Sequence, residues 1–328
     1  MSGVKCTSRH LYQNISIFLC LVFLTFSCGC ADKNIPHKYD TGNISVNNRV
    51  DNVALSFASD LAVTNDNIAG KNNTTIEEES AAALFDVNRA NVLYSKDIHE
   101  RLYPASLTKV LTALVAIKYG NPEDVITCSD NVTKLESGAS TCGLKPGDQL
   151  TLNQALHALL IHSSNDAAVA IAEHVGGSIE GFSTLMNSEA TLLGATNSHF
   201  VNPHGLSDND HYTTVYDLYL ITNEAIKYPL FNEIVAMTEY STVFNDKSGA
   251  EKEMSFGTTN LFLHGDYSAP SGVTVIGGKT GTTNAAGNCL IIIAKDASGN
   301  PYIGVILRCS QRTLVNEEMI DILREITS

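Results

Sequence analysis

Three short motifs stand in a fixed order along the chain and constrain its fold more than any other feature. They are Ser106-Leu-Thr-Lys109, Ser163-Ser-Asn165 and Lys279-Thr-Gly281. Each motif alone occurs by chance in unrelated proteins. All three in this order are typical of a serine acyl-transfer site that is assembled from distant segments. The fold must therefore bring these three segments together.

The first motif predicts a nucleophile and its base on one face of a helix. Residues 107–117 are mostly apolar and indicate a buried helix, and Pro104 marks its start. Residues three apart share a helical face, so the Lys109 amine can reach the Ser106 hydroxyl. Serine is a weak nucleophile without an adjacent base. Lysine serves as that base only when burial or a like charge, for which Lys279 is a candidate, lowers its pKa.

The second motif lies between two apolar helical patterns, at 156–161 and 167–175, and so predicts a short connection between two helices. An ordinary interhelical turn is also rich in Ser and Asn. In an acyl-transfer site, however, Ser163 can relay a proton. Asn165 can orient a substrate amide and accept a hydrogen bond from a lysine.

The third motif closes a run rich in β-branched residues, at 273–281, which predicts a strand. A strand edge that carries Lys279 and Thr280 can hold a substrate carboxylate. Gly281 lets the backbone and a substrate approach closely. Read alone, the same residues would indicate only a basic strand end with a turn.

Taken together, the chain resembles the serine-type D-alanyl-D-alanine carboxypeptidases, which are low-molecular-mass penicillin-binding proteins of peptidase family S11. The resemblance covers roughly residues 53–328. It implies an α/β (α+β) fold of the β-lactamase/transpeptidase-like type: an antiparallel sheet flanked by helices, plus a helical lobe, with the site in the cleft between them. It is carried by the stretches 81–86, 92–96, 100–109, 163–168, 202–206, 211–214 and 278–281.

The resemblance also implies a role for each residue of the site. Ser106 matches the family nucleophile and Lys109 its general base. Ser163 and Asn165 match the pair that relays a proton and orients the substrate.

The strand of the third motif is the expected substrate-binding edge. Lys279, Thr280 and Gly281 match the family residues that bind the terminal carboxylate. The family oxyanion hole uses the nucleophile's N–H and the N–H two residues after the motif threonine, which here are the N–H groups of Ser106 and Thr282. A further basic residue often helps to bind the carboxylate, and both Arg308 and Arg312 are candidates.

The implied function is that of a serine D,D-carboxypeptidase, a hydrolase that removes the terminal D-alanine from peptidoglycan stem peptides through an acyl-enzyme. β-Lactams would acylate the same serine. A class A β-lactamase is an alternative, but it needs a deacylating Glu some tens of residues beyond the second motif, and residues 194–213 contain none. A non-catalytic penicillin-binding sensor is another alternative, but it is expected to carry a damaged motif, and every motif position here is intact.

Composition and charge exclude some partners. The chain has 328 residues, of which 44% are hydrophobic and 17% charged, and a formal net charge of −14. These values indicate a globular chain and argue against binding to nucleic acid, which requires basic patches. We expect no cofactor and no metal, because the spacing of His199, His204 and His211 fits no usual zinc pattern. We expect a structural loop there, ending at a helix cap at Thr213 or Thr214.

The N-terminal residues 1–31 have the organisation of an export signal: Lys5 and Arg9 precede an apolar run at 15–26 and a zone of small residues. The protein is therefore expected outside the cytoplasm, at the outer face of the cytoplasmic membrane or in the cell wall. Cys30, or alternatively Cys28, could carry a lipid anchor. An ordinary signal-peptidase site is the other interpretation. Residues 32–52 indicate a polar linker, residues 53–328 the catalytic domain, and we expect no C-terminal β domain.

The cysteines of the expected domain permit two disulfides, Cys128–Cys142 and Cys289–Cys309. Two strands at 288–294 and 302–307 predict a hairpin, and residues 289 and 309 are symmetric about its expected centre. Four buried thiols are an equally good interpretation. A closing helix is predicted over 317–326.

Overall fold

The computed structural model describes residues 60–328. The expected export signal, lipid anchor and linker lie outside the described residues, as does the predicted domain boundary at residue 53. Within the described part, no helix is long and apolar enough to cross a membrane.

A five-stranded antiparallel sheet is the centre of the fold, with the strands in the order β2-β1-β9-β8-β7. Strand β7 therefore forms one edge, and β8 and β9 form the predicted hairpin beside it. The strands are β1 (Ala81–Asp86), β2 (Asn91–Lys96), β7 (Val273–Thr283), β8 (Gly287–Asp296) and β9 (Pro301–Cys309).

Both faces of this sheet are buried, and strand β1 shows why. All six of its residues are buried. Ala81, Ala83 and Phe85 belong to one apolar core, whereas Ala82 and Leu84 belong to a second. This alternation is that of a strand whose side chains point to opposite faces, so the sheet needs a helical layer on each side.

A helical lobe covers the first face. Its central helix, α1 (Thr108–Tyr119), contacts each of the other five and is mostly buried. This explains why the sequence shows an almost continuous apolar run there. The other helices of the lobe are α2 (Leu152–Ile161), α3 (Asn165–Gly176), α4 (Ile179–Leu192), α5 (Val215–Ala225) and α6 (Pro229–Val235).

A smaller antiparallel sheet, with the strand order β3-β4-β5-β6, lies beside α2. Its strands are β3 (Val125–Thr127), β4 (Gln149–Thr151), β5 (Glu239–Asn245) and β6 (Glu251–Gly257). The sequence analysis did not predict this sheet, because two of its strands have only three residues.

The second face of the large sheet is covered by α8 (Arg312–Leu323), which buries Val315, Met319, Ile322 and Leu323. The predicted closing helix is confirmed, but it begins five residues earlier than expected. A short helix, α7 (Leu261–His264), precedes β7. The predicted arrangement of an antiparallel sheet flanked by helices plus a helical lobe is confirmed.

Of the two interpretations that the sequence leaves open, the described structure has free thiols: Cys128, Cys142, Cys289 and Cys309 form no disulfide. The hairpin register explains why the second pair does not form. Cys309 lies opposite Asn288, and the register shifts between Asn288 and Leu290. As a result, Cys289 is buried in the first core and Cys309 in the second, on opposite faces of the sheet.

Candidate active site

Ser106 lies in a single 3-10 turn, Ala105–Leu107, immediately before α1. Lys109 lies in the first turn of α1 and is fully buried. The distance between Lys109 Nζ and Ser106 Oγ is 2.9 Å, so the structure places the two side chains together as the spacing predicted. Ala105, directly before the serine, has a φ of 46°, an uncommon left-handed conformation.

Two further oxygen atoms surround the Lys109 amine. Nζ donates to Asn165 Oδ1 at 2.6 Å and to the carbonyl of His204 at 2.7 Å. A neutral lysine has two N–H groups and one lone pair. Because both oxygens can only accept, they occupy the two N–H groups, and the lone pair is left to face the Ser106 hydroxyl.

The surroundings favour this neutral form. Burial lowers the pKa of Lys109 well below its usual value, and the nearby charge of Lys279 lowers it further. Asp166 acts in the opposite direction with a smaller effect. The site therefore tunes a lysine towards the role of a general base at neutral pH.

The second motif connects α2 to α3, as predicted. Ser163 has a φ of 65°, a second left-handed conformation at the site. Its Oγ accepts a hydrogen bond from Lys279 Nζ at 2.9 Å. Burial lowers the pKa of Lys279 from 10.5 to about 7. Ser163 and Lys279 thus form a hydrogen-bonded pair across the cleft between the helical lobe and the sheet.

The third motif lies on β7, at the exposed edge of the large sheet. Gly281 passes so close to the nucleophile that a Cβ there would lie 2.9 Å from the backbone nitrogen of Ser106. This approach brings the backbone of Thr282 towards that of Ser106, as an oxyanion hole requires. Thr280 Oγ1 is held 2.7 Å from Thr259 Oγ1.

These residues line one cavity of about 430 Å³. Ser106, Ser163, Thr280, Gly281 and Thr282 all contribute to its wall. Lys109 and Asn165 lie behind it, connected through the contacts described above. Among the residues described, none that lines this cavity is Asp or Glu.

The structure also distinguishes between the two candidate arginines. Arg312, at the start of α8, lines the cavity. Arg308 instead binds the Glu100 carboxylate through both terminal nitrogens, at 2.6 and 2.9 Å, and lines a different cavity. Of the two arginines, Arg312 is therefore the one that lies at the cavity of Ser106.

Sequence reasoning missed the contribution of the loop at 202–205. Its His204 carbonyl binds Lys109, and its Pro203 carbonyl accepts from Thr112 Oγ1 at 2.7 Å. Gly205 has a φ of 86°, and a Cβ there would collide with the Ala105 carbonyl. The available signal was this close-packed glycine, since a carbonyl ligand leaves no mark on side-chain identity.

Asp166, directly after the second motif, was also missed. Its carboxylate accepts from three successive backbone N–H groups, those of Cys142, Gly143 and Leu144, at 2.9 to 3.1 Å. The segment it holds lies just beyond Gly138 and Ser140, which form part of the cavity wall. Asp166 thus supports one side of the cavity without reaching into it.

The histidines at 199–211 contact other parts of the protein. Burial lowers the pKa of His204 to about 3 and that of His211 to about 4, so both rings are neutral at pH 7. A ring nitrogen of His211 lies 2.8 Å from Thr108 Oγ1, behind the nucleophile. The expected helix cap is at Thr214, whose side chain accepts from the backbone N–H of Asp217.

The chain is similar to known proteins over the segment that carries the three motifs. The family model described as D-alanyl-D-alanine carboxypeptidase (Peptidase S11) matches residues 67–310. The D-alanyl-D-alanine carboxypeptidase DacF of Bacillus subtilis is 34% identical over 248 residues, covering 74% of this chain and 60% of DacF. Escherichia coli DacA is 32% identical over 222 residues, covering 65% of this chain and 52% of DacA. The chain thus spans only about half to three fifths of these relatives' length.

The solved structures include close neighbours of the fold. The Streptomyces K15 DD-transpeptidase superposes with a TM-score of 0.70 at 28% identity, covering 76% of this chain and 98% of that one. A D-alanyl-D-alanine carboxypeptidase from Mycobacterium tuberculosis gives 0.68 at 26% identity, covering 79% and 96%. The family match covers most of the chain and includes all three motifs. The chain belongs to the D-alanyl-D-alanine carboxypeptidase family, peptidase family S11.

Proposed function

We propose that this protein is a serine D,D-carboxypeptidase that removes the terminal D-alanine from peptidoglycan stem peptides. One observation carries the proposal: Lys109 Nζ lies 2.9 Å from Ser106 Oγ while two acceptor oxygens occupy its N–H groups. A buried amine in this arrangement accepts the serine proton and activates the hydroxyl.

In acylation, Ser106 Oγ attacks the carbonyl carbon between the two D-alanines, and its proton passes to Lys109 Nζ. The oxyanion that forms is bound by the backbone N–H groups of Ser106 and Thr282. The C–N bond then breaks, and the leaving amine takes up a proton. Ser163 Oγ gives its proton to the amine and takes one from Lys279 Nζ, its hydrogen-bond donor. Lys109 releases the serine proton to solvent and is again the free base for deacylation. The products are free D-alanine and an ester on Ser106.

The terminal carboxylate of the substrate is bound at the edge of β7. Lys279 supplies positive charge when protonated, Thr280 a hydroxyl, and Arg312 a guanidinium from the same cavity wall. A substrate bound antiparallel along this edge presents its last peptide bond to Ser106. This pairing accounts for specificity towards the end of a peptide.

Deacylation requires a water molecule and a base. Because the cavity wall described above has no carboxylate, Lys109 is the group placed to take the water's proton. After peptide acylation, departure of D-alanine makes room for this water. In a β-lactam adduct the leaving group stays tethered, so hydrolysis is slow. The absence of a carboxylate from the described cavity wall leaves no second base for this hydrolysis and disfavours the β-lactamase alternative.

A D,D-transpeptidase is a second candidate, favoured by the likeness to the Streptomyces K15 DD-transpeptidase. The acylation step is the same for both activities. They differ in the acceptor, which is water in a carboxypeptidase and an amine of another stem peptide in a transpeptidase.

Incubation with a stem pentapeptide, alone and with an amine acceptor, tests the proposal. We expect free D-alanine and tetrapeptide as the main products, and neither from Ser106→Ala. Cross-linked dimer as the main product would instead establish the transpeptidase. No D-alanine release, together with rapid hydrolysis of penicillin, would establish a β-lactamase.

We also propose that the protein acts outside the cytoplasm, since its substrate is there and residues 1–31 have the pattern of an export signal. A lipid on Cys30 would hold it at the membrane. Fractionation of cells that express Cys30→Ala, or the double variant Cys28→Ala/Cys30→Ala, tests the anchor. Release into the medium supports a lipid anchor, and unchanged membrane association of the double variant contradicts it.

A further inference from the structure

A second cluster of ionisable side chains lies away from the active-site cavity, where the segment before β1 meets the end of β9 and α8. It consists of Glu77, Cys309 and Glu318, with one ligand atom of each within 4.8 Å of the others. Cys309 and Glu318 are buried, and Glu77 is partly buried. The mechanism proposed above uses none of these groups.

Two buried oxygen atoms at this cluster have no hydrogen-bond partner. One is Oε2 of Glu318, a residue only 3% exposed, and the other is Oγ of Ser80, which is fully buried. The Ser80 hydroxyl lies close enough to the Glu77 carboxyl to lower its pKa, and the Cys309 thiol acts in the same direction on Glu318. Neither contact reaches hydrogen-bond geometry. Buried polar atoms without partners are rare in folded proteins and cost free energy, so each one points to a missing partner.

A second glutamate, Glu325, also binds backbone N–H groups of the segment before β1, and both of its oxygens are used. Glu325 accepts the backbone N–H of Lys71 on one oxygen and that of Asn72 on the other, at 2.7 and 3.0 Å. Glu318 accepts only one such bond, from the backbone N–H of Glu77 at 2.5 Å. Both glutamates attach the segment before β1 to the C-terminal helices, but only Glu318 has an oxygen left over.

The charge of Lys96 lowers the pKa of Glu318, but by less than burial raises it. Lys96 directs its ammonium at the backbone carbonyls of Glu77, Glu78 and Ser80. Its Nζ also lies 3.4 Å from the Asp97 carboxylate, so its partners lie outside the three side chains of the cluster. Two carboxyl groups and a thiol therefore share the site. Hydrogen bonds from Ser310 lower the pKa of the partly buried Glu77, whereas burial raises the pKa of Glu318. Burial likewise raises the pKa of the Cys309 thiol to about 12.

We propose that Glu77, Cys309 and Glu318 bind a divalent metal ion of the Zn²⁺ class, with the Ser80 hydroxyl or a water in the fourth position. Zn²⁺ accepts mixed sulfur and carboxylate ligands, whereas Ca²⁺ and Mg²⁺ require oxygen alone. On binding, the thiol proton leaves to solvent and the thiolate becomes a ligand. No local sequence pattern indicated this site, because its ligands come from opposite ends of the domain.

The position of the site assigns it a structural role. The metal ion would join the segment before the first strand to the last strand and the last helix of the domain. Arg312, at the start of α8, lines the active-site cavity. A fixed α8 therefore also fixes the arginine that faces the substrate.

Titration of the reduced, metal-free full chain with ZnCl₂ and with CoCl₂ tests the proposal. We expect one Zn²⁺ bound with release of a proton, a thiolate-to-cobalt charge-transfer band, and a rise in unfolding temperature with Zn²⁺. Cys309→Ser should abolish the band. Glu318→Gln, which preserves side-chain shape, should weaken Zn²⁺ binding by more than about 100-fold, beyond the usual effect of an indirect neighbour of a metal.

Cys128→Ser is the matched control, because Cys128 is another buried free thiol but lies in the first core, directly after β3. It should keep the cobalt band and the stabilisation by Zn²⁺. Acylation by fluorescent penicillin reports whether each variant is folded. A cobalt band that persists in Cys309→Ser, or Zn²⁺ stabilisation that persists in folded Glu318→Gln, would overturn the proposal. Absence of Zn²⁺ binding in the unmodified protein would overturn it as well.

Discussion

At the scale of single residues, the site depends on the protonation state of Lys109. Its amine has three neighbours: a hydroxyl oxygen that can give up a proton and two oxygens that can only accept one. A protonated Lys109 would donate to all three and leave Ser106 inactive. A neutral Lys109 uses two donors and presents its lone pair to Ser106. Catalysis therefore requires the lowered pKa that burial and Lys279 produce.

Lys109→Ala removes the proposed base. We expect acylation by fluorescent penicillin to slow by about 100-fold to 10,000-fold, the usual contribution of general base catalysis, and deacylation of a peptide ester to slow similarly. Lys295→Ala, an exposed lysine on β8, is the control and should react as the unmodified protein does. Near-normal turnover of Lys109→Ala at neutral pH would exclude Lys109 as the base.

The pH dependence of acylation tests the electrostatic coupling between the two lysines. The acylation rate should rise with pH as Lys109 loses its proton. Because the charge of Lys279 lowers the pKa of Lys109, Lys279→Gln should raise that pKa and move the rising limb to higher pH. Rates normalised to their own plateau separate this shift from weaker substrate binding. An unchanged or lower midpoint would contradict the coupling.

The residues of the site were predictable to different degrees. Ser106, Lys109, Ser163, Asn165 and the third motif bear side chains whose chemistry marks them in the sequence. The structure brings these predicted residues together. The His204 carbonyl left no such mark, because backbone groups are common to every residue. Choosing between Arg308 and Arg312 required the positions of Glu100 and α8, which no local pattern supplies.

At the scale of elements, the active site lies where two connections are held in uncommon backbone conformations. Ala105 and Ser163 both have positive φ without being glycine. Such conformations cost free energy and persist only when the surrounding contacts enforce them. The loop at 202–205 supplies part of this support, since it packs under Ala105 and binds Lys109.

Gly205→Ala tests the role of that loop. Gly205 and Gly249 both have positive φ, so alanine at either position costs about 1–2 kcal/mol through backbone strain. A Cβ at Gly249 meets open space, whereas one at Gly205 meets the Ala105 carbonyl. We expect Gly205→Ala to be the less stable variant in denaturant and to acylate at least about 10-fold more slowly, since even small displacements of reacting groups are costly.

Gly249→Ala, in the turn between β5 and β6, should acylate at the unmodified rate. Equal acylation rates for the two variants would show that the loop at 202–205 does not position the nucleophile.

For the hairpin, the two strands were predictable from the sequence but their register was not. Its two strands were evident from apolar runs flanking a turn, and β8 and β9 confirm them. The register was not evident, because the irregularity between Asn288 and Leu290 depends on the local backbone. Arg308, next to Cys309, has a φ of 61°. A one-residue change in register exchanges the two faces of a strand, which is why the predicted Cys289–Cys309 pair does not form.

At the scale of the whole molecule, the active-site cavity lies where the helical lobe meets the edge of the large sheet. The lobe provides Ser106, Lys109, Ser163 and Asn165, and β7 provides the third motif. The sequence predicted a helix and a strand here, because residues 107–117 are mostly apolar and residues 273–281 are rich in β-branched residues. Their arrangement as a lobe beside a sheet was implied by the family resemblance. It did not predict the small sheet or the Glu77–Cys309–Glu318 cluster, both of which depend on contacts between segments far apart in the chain.

Intact-protein mass spectrometry after exposure to penicillin tests the central claim most directly. Our account predicts that the unmodified protein gains the mass of one penicilloyl group, that the adduct survives denaturation, and that it is lost only slowly. Ser106→Ala should gain no mass. An adduct of equal yield on Ser106→Ala would contradict the assignment of the nucleophile, and rapid loss of the adduct with hydrolysed penicillin would contradict the carboxypeptidase mechanism.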